Sequence, residues 1–321
     1  MDLPQIIILY GKYKPDSFHE KQQKMIDNKT TCGYREYASK YGHIIYLTRQ
    51  NVHKNWEHSI TNINKVIEFC NKRPDYLVWS VKHDESGDKD LILRKIKNLK
   101  VYYSCCSLNM YNSYCNISLV DDNKRIKNNA VLHIKGKDEN YWKPIKSYKD
   151  KQYDYLLMGH RADKNELYFL EKINSIKEKR NILWIGGEKH KKKISSHHNI
   201  NFTNFIGPEE IRHLIPKAKV GILFTEHPSE GFPQSFLEMT MCGVPVIYSD
   251  TGPINKNYVH KNNCLICKKK ELIICSENLL KKMSESISHL CRQEAIENYS
   301  LDISYYNMYK NALNFRLGVN K

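Results

Sequence analysis

Apolar runs of strand length alternate with amphipathic segments along the whole chain. This alternation is typical of parallel sheets built from β-α-β units. In the first half it predicts strands at residues 5–10, 43–48, 76–81, 100–104 and 131–134, with helices at 34–41, 60–71 and 90–98. In the second half it predicts strands at residues 153–158, 181–185, 200–202, 220–224, 246–248 and 264–267, with helices at 164–179, 208–215, 233–241, 276–291 and 300–314.

The two series are separated by a segment of different composition. A stretch containing Trp and Pro, residues 141–144, leads into a lysine-rich run at 146–151. A chain of 321 residues is long for one hydrophobic core and comfortable for two α/β domains. We therefore expect one domain at 1–147, a second at 148–298 and a C-terminal helix at 299–321.

The segment from Glu230 to Glu238 carries the most specific pattern in the chain. Its sequence, EGFPQSFLE, predicts a helix that starts at Pro233, because proline is well tolerated at the first helical position. The apolar residues that follow predict a buried helix, with Glu238 about one and a half turns inside it. Free N–H groups at a helix start bind anions. A carboxylate, a phosphate-sized site and a second carboxylate suit a sugar–pyrophosphate–ribose ligand.

A plainer interpretation of the same pair stays open, with Glu230 as an exposed loop carboxylate and Glu238 as the partner of a lysine. The segment at 242–253 favours a ligand site. It predicts a helix stop at Gly243, an apolar strand, and a Gly/Pro loop at the carboxyl end of that strand. In open α/β sheets, ligands bind at such loops.

These segments resemble the family 4 (group 1) retaining glycosyltransferases of the GT-B fold. The carriers of the resemblance are, in chain order, residues 135–144, 181–187, 202–210, 230–238 and 241–247. The resemblance covers the second half almost continuously and is thin in the first half. It implies two Rossmann-like domains that face a central cleft, with a C-terminal helix that crosses back to the first domain.

The resemblance also implies a donor site for a UDP- or GDP-sugar and no metal or other cofactor. Arg161 and Lys164 would bind the diphosphate, Glu238 would accept hydrogen bonds from the ribose, and Glu230 would face the transferred sugar. The backbone at the start of the helix would hold the distal phosphate and the sugar, namely Gly231, Phe232, Pro233, Gln234 and Ser235. Gly186 lies in the family's Gly-rich turn, and Ile206 would meet the base through main-chain groups.

The first domain departs from the family pattern. Cys105 and Cys106 stand where family members often carry a catalytic histidine. His83 follows the preceding predicted strand and is a candidate for the acceptor side, although a plain loop histidine is an equal interpretation. The family's Gly-Gly loop is reduced, with Gly11 or Gly33 as its replacement.

Composition limits the location and the partners. The net charge of +16 suggests an anionic partner, but lysines are spread along the whole chain, and the densest run, 189–193, is typical of a solvated loop. We expect no specific nucleic acid partner. With no apolar run of 18 residues and no signal peptide, we expect a cytoplasmic protein, and peripheral contact with an anionic membrane stays open.

The ten cysteines show no disulfide framework, and reduced, mostly buried thiols are expected. A zinc site at Cys264, Cys267 and Cys275 is disfavoured, since no second cysteine pair follows at zinc-finger spacing.

Two classes of function remain. The first is an enzyme that transfers a hexose to a glycan, lipid or protein hydroxyl in glycan biosynthesis, with an epimerase or phosphorylase of the same fold as the alternative enzyme. The second is a decayed GT-B module that binds nucleotide or nucleic acid without turnover.

Overall fold

A computed structural model describes residues 3–10, 34–47, 59–60, 63–81, 88–103, 115–120, 130–145, 147–159, 165–225, 233–249 and 264–319. The chain forms two compact units. The first comprises Met1–Gly136 and Leu301–Lys321, and the second comprises Lys137–Ser300. The units thus divide at 136/137 and 300/301. The boundaries expected from the sequence are 147/148 and 298/299.

In the first unit, seven described strands form a parallel sheet in the order β3-β2-β1-β4-β5-β6-β7. The strands are β1 Ile6–Tyr10, β2 Gly42–Leu47, β3 Ser59–Ile60, β4 Leu77–Val81, β5 Leu99–Tyr103, β6 Ile117–Val120 and β7 Ala130–Leu132. The described helices of this unit are α1 Tyr34–Tyr41, α2 Ile63–Asn71, α3 Asp88–Lys95 and α9 Leu301–Arg316.

The central strand of this sheet is buried on both faces. Ile6 and Ile8 pack in one core with Tyr305 of α9. Ile7 and Leu9 pack in a second core with α2 and α3. A continuous apolar run is what a parallel strand covered by helices on both sides requires, so the pattern IIIL predicts this layered arrangement.

Polar contacts fix the C-terminal helix α9 to the first unit. The hydroxyl of Ser304 donates to the carbonyl oxygen of Ile134 at 2.6 Å and lies 2.6 Å from the hydroxyl of Tyr37. The Tyr37 hydroxyl in turn accepts from the backbone N–H of Gly136 at 2.7 Å. The return of the last helix to the first unit, expected from the resemblance, is therefore confirmed.

In the second unit, six described strands form a parallel sheet in the order β10-β9-β8-β11-β12-β13. The strands are β8 Tyr153–Met158, β9 Asn181–Ile185, β10 Asn199–Phe202, β11 Ala218–Leu223, β12 Val246–Ser249 and β13 Cys264–Cys267. The described helices are α4 Glu166–Ile173, α5 Pro208–Leu214, α6 Gln234–Met241, α7 Leu272–Lys282 and α8 Glu285–Tyr299.

A buried ion pair ties α7 to this sheet. The Glu277 carboxylate accepts two hydrogen bonds from the guanidinium of Arg180 and one from the Tyr155 hydroxyl at 2.8 Å. Burial raises the pKa of Glu277, but the hydrogen bonds from Arg180 and Tyr155 outweigh it, so the pKa lies below its ordinary value. The pair is therefore an ionised one inside the unit.

Several predicted helix bounds are wrong. The helix expected at 276–291 is two helices, because the chain leaves α7 at Met283 and the Ser284 side chain caps α8 by accepting from the N–H of Ile287. The helix expected at 164–179 ends at Ile173, where His198 hydrogen-bonds the last helical carbonyl oxygen at 2.9 Å. These stops depend on side chains distant in sequence or on a single serine.

Two strands are absent from the sequence prediction. Ile60, expected in a helix, belongs to the short strand β3, and β6 lies in a stretch rich in Asn and Ser. β3 is a two-residue strand at the edge of the sheet, and β6 is only four residues long, although its Ile117 and Leu119 are buried. Among the residues that the structure describes, no helix is long and apolar enough to cross a membrane.

The buried His133 makes the stability of the chain pH-dependent. Its ring lies 3.4 Å from the Ser304 hydroxyl, and burial, followed by the nearby Lys135 charge, lowers its pKa to about 3. The unfolded chain binds this proton at about pH 6.5, so acidification below that value favours unfolding. We expect about 2 kcal/mol of the free energy of unfolding to be lost by about pH 5.

The variant H133F should lack that loss, since phenylalanine keeps a ring of similar size and does not titrate. Urea denaturation at about pH 8 and about pH 5 measures the difference. Equal losses in the two proteins would contradict the assignment to His133.

The ion pair at Glu277 predicts a large loss of stability on neutralisation. E277Q removes the buried counter-ion of Arg180, and we expect about 3 kcal/mol lower stability. Glu178 also pairs with Arg180, but its side chain is 73% exposed, so E178Q is the matched control and should have no measurable effect. Similar denaturation midpoints for both variants would show that the buried pair is not stabilising.

Candidate active site

The second sheet has a switch point between β8 and β11. From β8 the chain proceeds outward to β9 and β10 on one side, and from β11 to β12 and β13 on the other. In open α/β sheets the crevice at the carboxyl ends of such strands is the usual ligand site. The segments after these two strands, 160–164 and 226–232, contain the predicted residues Arg161, Lys164 and Glu230.

Hydrogen bonds fix the points from which these segments start. The indole N–H of Trp184 donates to the carbonyl oxygen of Gly159 at 2.9 Å, which ties the end of β8 to β9. The side-chain amide of Asn165 donates to the carbonyl oxygen of Phe224 at 2.8 Å, which ties the start of α4 to the end of β11. These two hydrogen bonds thus link neighbouring elements at the carboxyl edge of the sheet, on both sides of the switch point.

Gly186 forms the predicted turn at the end of β9. Its φ of 86° is in the left-handed region that favours glycine. Its N–H donates to the Thr203 hydroxyl at 3.1 Å, which joins this turn to the end of β10. At the next residue, Gly187, a Cβ would lie 2.3 Å from the Trp184 ring, so the close backbone approach requires glycine there too.

Ile206 lies on the short connection between β10 and α5. Phe205 beside it is 51% exposed, and Gly207 with Pro208 starts α5 immediately afterwards. The lysines at 189–193 are exposed, as predicted, on a turn of 3-10 helix after Gly187.

Helix α6 starts one residue later than the sequence predicts. Pro233 has extended backbone and is the N-cap, so Gln234 is the first helical residue. The backbone N–H groups of the first turn lack intrahelical partners in any α-helix. Among the described residues, the buried Gln234 Oε1 and Ser235 Oγ have no hydrogen-bond partner. Two polar side-chain atoms without a partner in the described residues therefore lie at the start of α6.

Glu238 lies one turn further along α6 and is paired with a lysine. Its Oε1 accepts from the ammonium of Lys137 at 2.9 Å, and the Glu238 side chain is 15% exposed against 1% for Lys137. The plainer interpretation of Glu238 as the partner of a lysine is therefore correct. It does not exclude ligand binding, because a carboxylate has about four acceptor positions.

Gly243 and Ser288 fix the C-terminal end of α6. Gly243 has a φ of 69° and stops the helix, as predicted. A Cβ there would lie 2.7 Å from the Ser288 hydroxyl, which donates to the Gly243 carbonyl oxygen at 2.5 Å. The helix is thereby locked against α8.

The structure describes some of the predicted residues and not others. All of the described ones belong to the second unit: Gly186 follows β9, Ile206 follows β10, and Pro233, Gln234, Ser235 and Glu238 lie at the start of and within α6, the helix after β11. The predicted residues Gly11, His83, Arg161, Lys164, Glu230, Gly231 and Phe232 lie outside the described residues. Lys137 carries no predicted role, and its location in the inter-domain stretch was the only available signal.

The cysteines of the described ranges are free thiols, and all but Cys275 are buried. Burial raises the pKa of Cys242 to about 12, so its thiol is protonated and unreactive at neutral pH. In the same ranges, no group of three or more His, Cys, Asp or Glu side chains converges as metal ligands would.

Comparison with known families agrees with this geometry. Residues 152–292, within the second unit, match the family model described as glycosyl transferases group 1. No curated protein matches the sequence significantly.

Solved structures match over nearly the whole chain. A glycosyltransferase from Rickettsia africae has a TM-score of 0.65 at 13% identity, with 98% of this chain and 99% of that chain covered. Anabaena HepE in complex with UDP-glucose has a TM-score of 0.63 at 11% identity, with 97% and 99% covered. An alpha-glucosyltransferase in complex with UDP and a 13-mer DNA has a TM-score of 0.66 at 10% identity, with 96% and 99% covered.

These findings confirm the GT-B fold and support a transferase. Residues 152–292 match the group 1 glycosyl transferase model, and this range includes the predicted donor-site residues that the structure describes.

Two serines beside the two ends of α6 should differ in their contribution to the free energy of unfolding. Ser235 Oγ has no partner among the described residues, so S235A should leave the free energy of unfolding unchanged within about 0.5 kcal/mol. Ser288 Oγ donates to Gly243, so S288A should cost about 1 kcal/mol. Urea denaturation of both variants tests this. A destabilised S235A would show that the hydroxyl has a structural partner and is not reserved for a ligand.

Proposed function

We propose that the chain is a retaining, metal-independent glycosyltransferase. It moves a hexose from a UDP- or GDP-sugar to a hydroxyl of a glycan, lipid or protein, in the cytoplasm. The observation that carries this proposal is the first turn of α6, where no side chain caps the helix and two buried polar atoms have no partner among the described residues, within the segment that matches the group 1 glycosyl transferase model.

This helix start supplies what departure of the donor diphosphate requires. Cleavage of a nucleotide-sugar bond builds negative charge on the leaving phosphate. Free backbone N–H groups and the positive end of the helix dipole stabilise such charge without a metal. The Gln234 amide and the Ser235 hydroxyl add polar side-chain atoms beside those N–H groups. The distal phosphate and the sugar therefore bind at residues 231–235.

Four further side chains are proposed to bind the other parts of the donor. Glu238, one turn deeper, accepts hydrogen bonds from the ribose hydroxyls. Arg161 and Lys164, from the segment after β8, neutralise the diphosphate. Glu230, from the segment after β11, contacts the transferred sugar or the positive charge that develops at its anomeric carbon.

The base binds at the connection between β10 and α5. Phe205 is half exposed there, and aromatic and main-chain groups of Phe205 and Ile206 suit a flat heterocycle. Several solved structures with this fold contain UDP, which makes uridine the first base to test.

Fewer residues support the assignment of the acceptor site. With Cys105 and Cys106 in place of the family histidine, His83 is the candidate on the first unit. In a retaining transfer the departing donor phosphate itself can take the proton of the acceptor hydroxyl, so the reaction class does not depend on a protein base.

A second candidate is a module that binds nucleotide or nucleic acid without turnover. The net charge of +16 favours it, because surplus lysine attracts polyanions. Turnover of a donor separates the two candidates.

We expect UDP- or GDP-sugars to stabilise the protein and to be turned over slowly to free sugar. A ligand at a hundred times its Kd adds about 2.7 kcal/mol of stability, which a thermal-shift panel of nucleotide sugars detects. E230Q should lower donor hydrolysis at least tenfold, while E178Q, on an exposed loop side chain, should leave it unchanged.

The same assay tests the finer parts of the proposal. Hydrolysis should persist in excess EDTA, and the anomer released first should match that of the donor. Absence of stabilisation by every donor, with steeply salt-dependent binding to single-stranded nucleic acid, would replace the transferase with the binding module.

A further inference from the structure

Lys137 is a buried cation whose ammonium group contacts the proposed ribose ligand Glu238. Its side chain is 1% exposed, and its Nζ lies 2.9 Å from Glu238 Oε1. Lysine is rarely buried unless its charge is paired. A buried lysine directed at one carboxylate therefore needs an explanation beyond surface electrostatics.

The lysine is held from several sides. Its Nζ lies 5.2 Å from the centroid of the buried Trp142 ring, and its backbone N–H donates to the carbonyl oxygen of Tyr299 at 3.0 Å. Arg292 donates to the carbonyl oxygens of Trp142 at 2.7 Å and of Met241, at the end of α6. The segment that carries Lys137 and the helix that carries Glu238 are thus joined to each other through Arg292.

The pair leaves part of the Glu238 carboxylate available. Lys137 is its only hydrogen-bond partner within the described residues, and 15% of the Glu238 side chain remains exposed. A glutamate has several rotatable bonds and would sample many orientations if it were unpaired. With Oε1 held by the ammonium, the remaining acceptor positions have a fixed direction. Two adjacent hydroxyls are the donors that such a carboxylate accepts best.

We propose that Lys137 is a positioning residue that orients Glu238 toward the 2′ and 3′ hydroxyls of the donor ribose. It thereby sets a preference for ribonucleotide over deoxyribonucleotide donors. This inference rests on the proposed function, since it takes Glu238 as the ribose ligand.

Lys151 of the same unit provides a matched comparison. It is also a partly buried lysine, and burial lowers its pKa to about 8. Its ammonium donates to the carbonyl oxygens of Pro216 at 3.1 Å and Ala218 at 2.6 Å. Its partners are backbone groups and not a ligand-binding side chain. Loss of Lys151 removes a buried lysine without touching Glu238.

Calorimetric titration with UDP, 2′-deoxy-UDP and 3′-deoxy-UDP tests the inference. The wild-type protein should bind UDP about tenfold more tightly than either deoxy analogue, the value of one charge-assisted hydrogen bond. K137M should reduce this ratio to about one, mainly by weakening UDP binding, while the affinity for the deoxy analogues stays within about twofold. K151M should lower the melting temperature and keep the tenfold ratio. If K137M does not fold, K137Q replaces it.

The outcomes distinguish a failure of the Lys137 inference from a failure of the proposed function. If K137M weakens all three ligands equally, or keeps the wild-type ratio, Lys137 is only a structural counter-ion and the inference is overturned. If the wild-type protein binds UDP without preferring the ribose hydroxyls, Glu238 is not the ribose ligand. If it binds neither UDP nor GDP, the proposed function fails and the inference fails with it. In donor hydrolysis, K137M should raise KM about tenfold with little change in kcat, since ribose contacts bind ground and transition state alike.

Discussion

The close packing of α6 on the second sheet is the constraint on which the candidate site depends. Gly221 in β11 makes it feasible, because a Cβ at that position would lie 2.4 Å from the sulfur of Met239 on the helix. The helix can therefore approach the strand closely, while Gly243 and Ser288 lock its far end. With both contacts in place, the first turn lies at the carboxyl edge of the sheet, and Glu238 faces Lys137.

This arrangement separates two uses of lysine within one basic chain. The lysines at 189–193 are exposed to solvent and contribute to the overall positive field of the chain. Lys137 is withdrawn from water and acts on one carboxylate. The net charge of +16 reflects exposed lysines such as those at 189–193. It does not indicate that Lys137 is buried against a carboxylate. The buried lysine is therefore the more specific indicator of function, although it is one residue among many.

Local pattern was sufficient for much of the fold and for part of the site. Buried parallel strands such as β1 and β8 read as continuous apolar runs, and the start of α6 with its stop at Gly243 follows from proline, apolar periodicity and glycine. The ends of α4 and α7 were mispredicted, because they are set by His198 and Ser284 and not by a break in periodicity.

The Lys137–Glu238 pair, like the end of α4, depends on a contact between residues that are far apart in the sequence. The two residues are 101 positions apart, and their contact follows from the tertiary packing of the segment 137–142 beside α6 and α8. A sequence shows that a glutamate is available near a helix start, and it does not show which of many lysines will be buried against it. Pairing with a lysine and binding of a ligand are alternatives in the sequence, whereas the geometry of Glu238 is compatible with both.

The central claim is that the second unit binds a nucleotide sugar at the start of α6. A crystal structure of the complete chain with UDP tests it most directly. We expect the diphosphate on the backbone N–H groups at residues 234 and 235 and the ribose hydroxyls on the Glu238 carboxylate, with Lys137 still bound to its other oxygen. UDP bound elsewhere on the chain, or an α6 start filled by protein side chains in the presence of saturating UDP, would contradict it.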